Sequence, residues 1–176
     1  MQLLPLAPST IGESLELRPL EIDDFEALYR VASDPLIWAQ HPSPTRYQEP
    51  VFHPWFNEAL ASKSALIVID RSNNQVIGAS RYYEFDEKKR EVTIGYTFLA
   101  RDHWGGETNR ELKHLMLTHA FQWVDTVWFH VDSQNVRSQR AMEKIGGHLF
   151  RRATRQLTDR TQEYLLYKID KPSRSA

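Results

Sequence analysis

The stretch from Leu99 to Glu111, L-A-R-D-H-W-G-G-E-T-N-R-E, links an apolar segment to an amphipathic one and is an informative part of the sequence. Gly105 and Gly106 stand at the junction, where the backbone must turn sharply or approach another group closely. Free amides at a helix N-terminus, with the helix dipole behind them, form an anion site that suits a diphosphate. The structural alternative is a tight turn in which Thr108 and Glu111 form a capping box.

Two common phosphate-binding motifs do not fit this stretch. No Gly-Lys-Ser/Thr sequence follows the glycines, so the stretch is not a P-loop. The three-glycine spacing of the dinucleotide fingerprint is also absent. The glycine pair alone therefore leaves a diphosphate site and a simple turn about equally favoured.

A second informative stretch runs from Asp132 to Gly147, D-S-Q-N-V-R-S-Q-R-A-M-E-K-I-G-G. Asn135 is a good N-cap for a helix that Gly146 and Gly147 end. Ser138 then lies in the first turn, where its hydroxyl either caps the helix or points into a site. Spacing alone favours the cap.

Periodicity predicts an α/β protein in the order β-α-α-β-β-β-α-β-α-β-β, with helices on both faces of a mixed sheet. The predicted helices carry apolar stripes over 25–32, 52–60, 112–123 and 138–145. The predicted strands span 15–19, 65–70, 76–85, 92–99, 127–131, 148–157 and 162–169, with Thr158-Asp159-Arg160 as the last turn. We expect one domain over residues 1–176, structured from about 12 to 170, with a disordered tail at 171–176.

Composition excludes several classes of function. The chain has 176 residues, no Cys and a formal net charge of -1. The charge argues against nucleic-acid binding, and the lack of Cys excludes disulfides, thiolate zinc sites and a Cys nucleophile. His114 and His119 do not share a helix face, so no metal site is expected. No apolar run approaches the roughly 18 residues of a membrane span, and no signal peptide is evident, which predicts a cytoplasmic protein without membrane partners.

Four motifs in order resemble the GCN5-related N-acetyltransferase (GNAT) superfamily, over roughly residues 12 to 170. Within it, they are similar to the branch of the ribosomal-protein N-terminal acetyltransferases (RimJ/RimL-like). The motifs are the opening Leu17-Arg18-Pro19-Leu20 with Asp23-Asp24-Phe25, the strand Ile94-Gly95-Tyr96, the loop Trp104-Gly105-Gly106, and the helix with Asn135, Ser138, Arg140, Glu143, Lys144 and Gly146.

The resemblance implies a mostly antiparallel sheet of about seven strands, in which the fourth and fifth strands splay apart to hold acetyl-CoA. Strand backbone at Tyr96, Phe98 and Leu99 would pair with the pantetheine arm, opposite residues 127–131. The diphosphate would take amides from Trp104, Gly105, Gly106, Glu107, Thr108 and Asn109. Asn135 would hold the pantetheine arm, and Ser138 would be the acid for the leaving thiolate.

The chain departs from the family pattern at two positions. Glu107 replaces a small residue, and its carboxylate would repel a diphosphate unless it points into solvent. Thr93 stands where many relatives carry a Glu that is a plausible general base. Glu91, Glu84 or water are then the candidates for the base, while His130 with Asp132 is a less favoured pair.

The acceptor groove involves a further set of residues. In the family, the first two helical segments help cover that groove, so Trp38, Trp55 and Thr93 are expected to line it. Core packing is the alternative for the two tryptophans, and it is favoured.

The predicted reaction is transfer of an acyl group, expected to be acetyl, to an amine by direct attack in a ternary complex. An α-amine, with a pKa of about 7.7–8.0, is far more often neutral at pH 7 than a Lys side chain near 10.4. The absence of a carboxylate at Thr93 therefore favours a protein N-terminus, a peptide or an amino-acid-like acceptor. The alternatives are a non-catalytic acyl-CoA-binding sensor or interaction module and a small-molecule detoxification acetyltransferase. A homo-oligomer is also possible.

Overall fold

Eight strands form a single sheet in the order β1-β2-β3-β4-β5-β6-β8-β7 in the computed structural model, which describes residues 7–156 and 160–173. The strands are β1 Thr10–Ile11, β2 Leu15–Pro19, β3 Ala65–Asp70, β4 Gln75–Asp86, β5 Glu91–Leu99, β6 Thr126–Asp132, β7 His148–Gln156 and β8 Thr161–Asp170. The helices are α1 Phe25–Ala32, α2 Glu49–Ser62, α3 Thr108–Ala120 and α4 Val136–Lys144. All neighbouring strands are antiparallel except β5 and β6, which are parallel.

The predicted fold class and all seven predicted strands are confirmed. The additional strand is β1, whose two residues pair with Leu17 and Glu16 and are too few to show alternation. Helix α3 ends at Ala120, before the predicted Trp123. In the predicted last turn, Thr158 and Asp159 lie outside the described residues, as do 174–176 of the predicted tail.

The sheet carries helices on both faces, as predicted. On one face, α3 packs Leu112, Met116 and Ala120 against strand residues that include Tyr82 and Phe129. The Tyr82 hydroxyl donates to the carbonyl of Met116, 2.7 Å away. On the other face, α1 and α2 bury an aromatic cluster against β3, β4 and β5. No helix in the described parts of the chain is long and apolar enough to cross a bilayer.

The splay that was expected between the fourth and fifth predicted strands lies between β5 and β6, because the additional strand β1 shifts the numbering by one. These strands pair only where Glu91, Val92 and Thr93 meet Thr126, Val127 and Trp128. Beyond that point, β6 continues to pair with β8 as far as Asp132. Over residues 94–99, β5 therefore has a ladder partner on its β4 side and, among the described residues, none on its β6 side.

Two bulges distort β4 and β5 next to the splay. Ser80 of β4 faces two residues of β5, and one of them, Tyr96, has a φ of 54°. The second bulge includes Glu84, whose φ is 51°. Non-glycine residues at positive φ are strained, and such strain and β-bulges concentrate at functional sites. Both bulges thus lie beside the point where β5 leaves β6.

Candidate active site

The open edge of β5 is the first part of the site. The Phe98 side chain is buried in the core beneath α1 and α2, and Leu99 in the core beneath α3. Because both side chains are committed to the interior, only backbone groups of these two residues can meet a ligand at the open edge. Tyr96 differs, since 40% of it is exposed.

The glycine loop continues directly from this edge. The Trp104 indole donates to the carbonyl of Leu99 at 2.9 Å and so fixes the start of the loop. Gly105 has a φ of 74°, a conformation that favours glycine. A Cβ atom added to Gly105 or Gly106 would meet no described heavy atom within 4 Å. One side of the loop backbone is therefore bare and can approach a ligand closely.

The capping box of Thr108 and Glu111, which is the structural alternative for this loop, does not form. Helix α3 begins at Thr108, so Glu107 occupies the N-cap, and its side chain makes no capping bond. The Glu111 carboxylate turns away and accepts hydrogen bonds from the amides of Ser14 and Leu15, at 2.9 and 3.1 Å. This long-range contact outcompetes the local box, because it satisfies the amides of the turn into β2. The box therefore does not occupy the helix N-terminus.

The carboxylate of Glu107 points outward. Its side chain is 79% exposed, and Arg110 lies 3.3 Å from it. In this orientation the Glu107 carboxylate points into solvent and would not repel a diphosphate at the loop. The backbone amide of Glu107 stays available to donate a hydrogen bond.

Asn135 is the N-cap of α4, as predicted. Its Oδ1 accepts a hydrogen bond from the Ser138 amide at 3.1 Å. Ser138 Oγ has no hydrogen-bond partner among residues 7–156 and 160–173. The capping alternative for the Ser138 hydroxyl therefore does not hold. Asn135 is 7% exposed, and its predicted contact with a pantetheine arm stays a prediction.

Arg137 connects the two motif segments. Its guanidinium carbon lies 3.6 Å from the centroid of the Trp104 ring. Its Nη2 donates to the carbonyl of Ile37 at 3.4 Å, and burial lowers the pKa of its guanidinium. The glycine loop and the start of α4 therefore face each other across the splay.

A second group of polar side chains gathers where β5 and β6 separate, in a cavity of about 740 Å³. Glu84, Glu91, Thr93 and His130 all line it. Glu84 Oε2 lies 3.4 Å from Thr93 Oγ1 and 3.9 Å from His130 Nε2. The bulge at Glu84 thus brings the Glu84 carboxylate beside Thr93, the position at which many relatives carry a Glu. Ser138 does not line this cavity.

The electrostatics favour His130 and Glu84 over Glu91. Burial lowers the pKa of His130, while the nearby Glu84 carboxylate opposes that shift, so the imidazole is neutral at pH 7 and can accept a proton. Glu91 Oε2 already accepts from the Trp128 indole at 2.9 Å. The pairing of His130 with Asp132 is absent, because the Asp132 carboxylate accepts from the Gln134 amide and the Gln162 side chain.

The predicted acceptor-groove tryptophans are buried. Trp38 is 2% exposed, and its indole donates to the carbonyl of Ala32 at 2.8 Å. Trp55 is 7% exposed. Both rings lie close to the guanidinium of Arg46, whose carbon is 5.3 and 5.9 Å from the Trp38 and Trp55 ring centroids. Both tryptophan rings therefore pack near the guanidinium of Arg46.

Sequence reasoning missed the buried cations of the site. Arg81 is 4% exposed and Lys113 is 3% exposed. A signal existed for each: Arg81 lies within an otherwise apolar stretch of β4, and Lys113 precedes Met116 and Ala120 by three and seven residues, on the buried face of α3. Lys113 Nζ donates to Thr97 Oγ1 of β5 at 2.7 Å, and burial lowers the pKa of this amine to about 7.

Residues 14–148 match the family model of the acetyltransferase (GNAT) domain. The chain belongs to the GNAT acetyltransferase family. This GNAT domain is accordingly an N-acetyltransferase by class. No curated protein matches it in sequence, and the described residues contain no group of three or more His, Cys, Asp or Glu side chains that could hold a metal ion.

Solved structures share the fold at low sequence identity. A GCN5-related N-acetyltransferase from Brucella melitensis is 18% identical, with a TM-score of 0.81 over 95% of this chain and 80% of its own. Spermidine N-acetyltransferase from Vibrio cholerae, in complex with CoA and spermine, is 19% identical, with a TM-score of 0.68 over 90% and 96%. RimJ from Mycobacterium smegmatis, in complex with CoA-disulfide, is 16% identical, with a TM-score of 0.70 over 89% of this chain and 81% of its own.

Proposed function

We propose that this GNAT domain transfers an acetyl group from acetyl-CoA to a primary amine by direct attack in a ternary complex. The observation that carries the proposal is the backbone edge of β5 over 94–99, which β6 leaves unpaired and which leads into the bare Gly105-Gly106 turn. An extended arm that ends in a diphosphate fits this arrangement, because the open strand backbone is followed along the chain by the amides at a helix N-terminus.

The residues present fit each part of acetyl-CoA. Backbone groups of Tyr96, Phe98 and Leu99 would pair with the amide-bearing arm. The amides of residues 104–109 would hold the diphosphate, and the guanidinium of Arg137 beside Trp104 adds a positive charge near it. Asn135 would fix the arm at the start of α4. When bound, acetyl-CoA supplies an acyl group already activated as a thioester.

Proton removal from the acceptor is assigned to Glu84 and His130. An amine attacks only when it is neutral, and a neutral imidazole in the cavity can take its proton directly or through water. Glu84 holds the charge that stabilises the protonated imidazole. Glu91 is bonded to Trp128, so we place it in a supporting position.

Proton delivery to the leaving thiolate is assigned to Ser138. Its hydroxyl has no described partner, and it lies in the first turn of α4, where the helix dipole favours negative charge. A donor that strengthens its contact only as charge develops lowers the barrier without tightening ground-state binding. Since the chain has no Cys, the reaction does not pass through a Cys-bound acyl group.

An α-amine is the acceptor that this machinery favours, as in a protein N-terminus, a peptide or an amino acid. The test is turnover with acetyl-CoA against α-amino peptides, amino acids, lysine side-chain amines and spermidine. Release of free thiol and the mass of the N-acetyl product are both recorded. We expect product with α-amines at pH 7. Binding of CoA without turnover of any amine would instead identify a sensor or interaction module.

A further inference from the structure

Four N–H groups from three side chains converge around Trp55 without a protein acceptor. They are Arg46 Nε, Arg81 Nε, Arg81 Nη2 and Trp55 Nε1, each buried and without a partner among the described residues. The guanidinium carbons of Arg46 and Arg81 lie 5.9 and 5.8 Å from the centroid of the Trp55 ring. Both guanidiniums therefore lie close to the Trp55 ring.

Protein groups compensate little of this charge. Arg46 Nη2 donates to Ser43 Oγ at 3.1 Å. The nearest carboxylate to Arg81 belongs to Glu58, 3.8 Å away on a side chain that is 68% exposed. Burial lowers the pKa of both guanidiniums, and the charge of Arg81 lowers the pKa of Arg46 further. Buried cations with so little compensation are strongly destabilising, so the cluster points to a ligand that completes it.

The chemistry of the cluster defines the ligand that completes it. Arginine and tryptophan side chains offer donors and no acceptors. The missing group must therefore supply oxygen acceptors, and two positive charges favour an anion. A carboxylate matches a planar guanidinium with two oxygens and leaves a lone pair for the indole N–H.

The cluster lies next to the point where β5 leaves β6. Arg81 pairs in register with Gly95, while the last β5–β6 pair involves Thr93. The guanidinium carbon of Arg81 lies 3.8 Å from the centroid of the Tyr96 ring, at the bulge. Because Tyr96 is 40% exposed, a ligand that passes it reaches both the arginines and the splay.

We propose that Arg46, Arg81 and the Trp55 indole bind a carboxylate of the acceptor, so that the acceptor is a primary amine that carries a carboxylate. The assignment of the amine rests on the proposed acetyl transfer, whereas the assignment of the carboxylate rests on the cluster alone. Polyamines are poor acceptors in this account, because two buried cations repel them. This expectation separates the chain from the spermidine N-acetyltransferase that shares its fold.

The experiment compares matched acceptors on matched variants. The acceptors are amino acids and short peptides with the carboxylate at increasing distance from the amine, each paired with its carboxamide, and one aminophosphonate. The enzymes are the wild type, Arg81→Met, Arg46→Met and the control Arg30→Met, whose arginine is exposed on α1. Turnover gives kcat and KM, and tryptophan fluorescence measures acceptor binding without acetyl-CoA.

We expect the wild type to prefer the best carboxylate over its carboxamide by about 10–100-fold in KM, the range expected for a hydrogen bond to a charged group. Arg81→Met should remove that preference, chiefly by raising the KM of the carboxylate, and Arg30→Met should retain it. Equal turnover of acids and amides, or a preference that survives in both Arg→Met variants, would overturn the carboxylate assignment. A stronger preference for the phosphonate would overturn it as well.

The two proposals fail in different ways. If no amine is acetylated but carboxylates still change the fluorescence in an Arg81-dependent manner, the proposed acetyl transfer is wrong and the carboxylate site stands. Arg81→Met replaces a buried charge, whose carboxylate partner Glu58 is exposed and 3.8 Å away, by an apolar chain of similar length. We expect its melting temperature to equal or exceed that of the wild type. Should Arg81→Met fail to fold, Arg46→Met, at a half-buried loop position, provides the same comparison.

Discussion

The guanidinium carbon of Arg137 lies 3.6 Å from the centroid of the Trp104 ring. Trp104 begins the glycine loop after β5, and Arg137 is the second residue of α4, so this one contact joins the two segments that the sequence marked as informative. It also places a positive charge beside the loop to which we assign the diphosphate. The geometry of that loop leads directly to the first prediction.

Replacing Gly105 by Ala should weaken CoA binding by more than tenfold. A side chain there would occupy the bare side of the loop and strain a φ of 74°. Gly146→Ala is the matched control, since Gly146 has a φ of 85° and equally open surroundings after α4. Calorimetric titration with CoA and thermal melting should show similar losses of stability but a loss of affinity only for Gly105→Ala. Equal affinities would show that the loop is only a turn.

Ser138 and Asn135 should separate catalysis from capping. Asn135→Ala removes the observed cap and should lower the free energy of unfolding by about 1 kcal/mol. Ser138→Ala should leave the melting temperature unchanged, because its hydroxyl has no described partner. It should instead lower kcat by about 100-fold or less, since removing one well-placed donor costs at least that much in favourable cases and a thiolate is already a fair leaving group. Unchanged kcat in Ser138→Ala would remove this residue from the mechanism.

The pKa of His130 should lie below its ordinary value of 6.5 and fall further in Glu84→Gln. Burial lowers this pKa, and the charge of Glu84 is the largest influence that raises it. Removing that charge should therefore let burial lower the pKa of His130 further. The measurement is an NMR titration of the imidazole in the wild type, in Glu84→Gln and in the control Glu26→Gln on the exposed side of α1. His130→Gln should lower kcat by about 100-fold. A rise of the pKa in Glu84→Gln would contradict the assigned pair.

Lys113→Met should raise the melting temperature, most strongly at neutral pH. The amine has a pKa of about 7 in the folded protein against 10.5 in the unfolded chain, because it is buried. Between these values the unfolded chain binds more protons, so the wild-type stability that this group controls rises with pH. The loss of folding stability caused by burying the charged amine is fully present below pH 7 and disappears above pH 10.5. The gain in melting temperature in Lys113→Met should therefore shrink towards pH 10. The exposed control Lys88→Met should show no such trend.

The sequence predicted those parts of the fold that depend on local pattern. Alternation identified the strands, and the pair Gly146-Gly147 follows the end of α4 as expected. Long-range contacts were not predictable in this way. Glu111 does not form the capping box with Thr108 because the amides of Ser14 and Leu15, almost a hundred residues away, were better partners.

In the candidate site, too, only the features that depend on local sequence pattern were predictable, and these are mainly backbone features. The open edge of β5 and the glycine loop follow from motifs, and Asn135 follows from capping preference. The carboxylate beside Thr93 was harder, because Glu84 reaches it through a bulge on the neighbouring strand. Arg46 and Arg81 meet around Trp55 only through tertiary packing, so no spacing in the sequence indicated their cluster.

Amide hydrogen exchange with and without CoA shows where CoA lies along the chain. If the arm lies along the open edge of β5 and the diphosphate sits at the start of α3, CoA should slow exchange in segments 94–99 and 104–109. Strand β7, at the far edge of the sheet and paired with β8, should keep its exchange rate. Protection confined to other parts of the sheet, or no protection of these two segments at saturating CoA, would contradict the account.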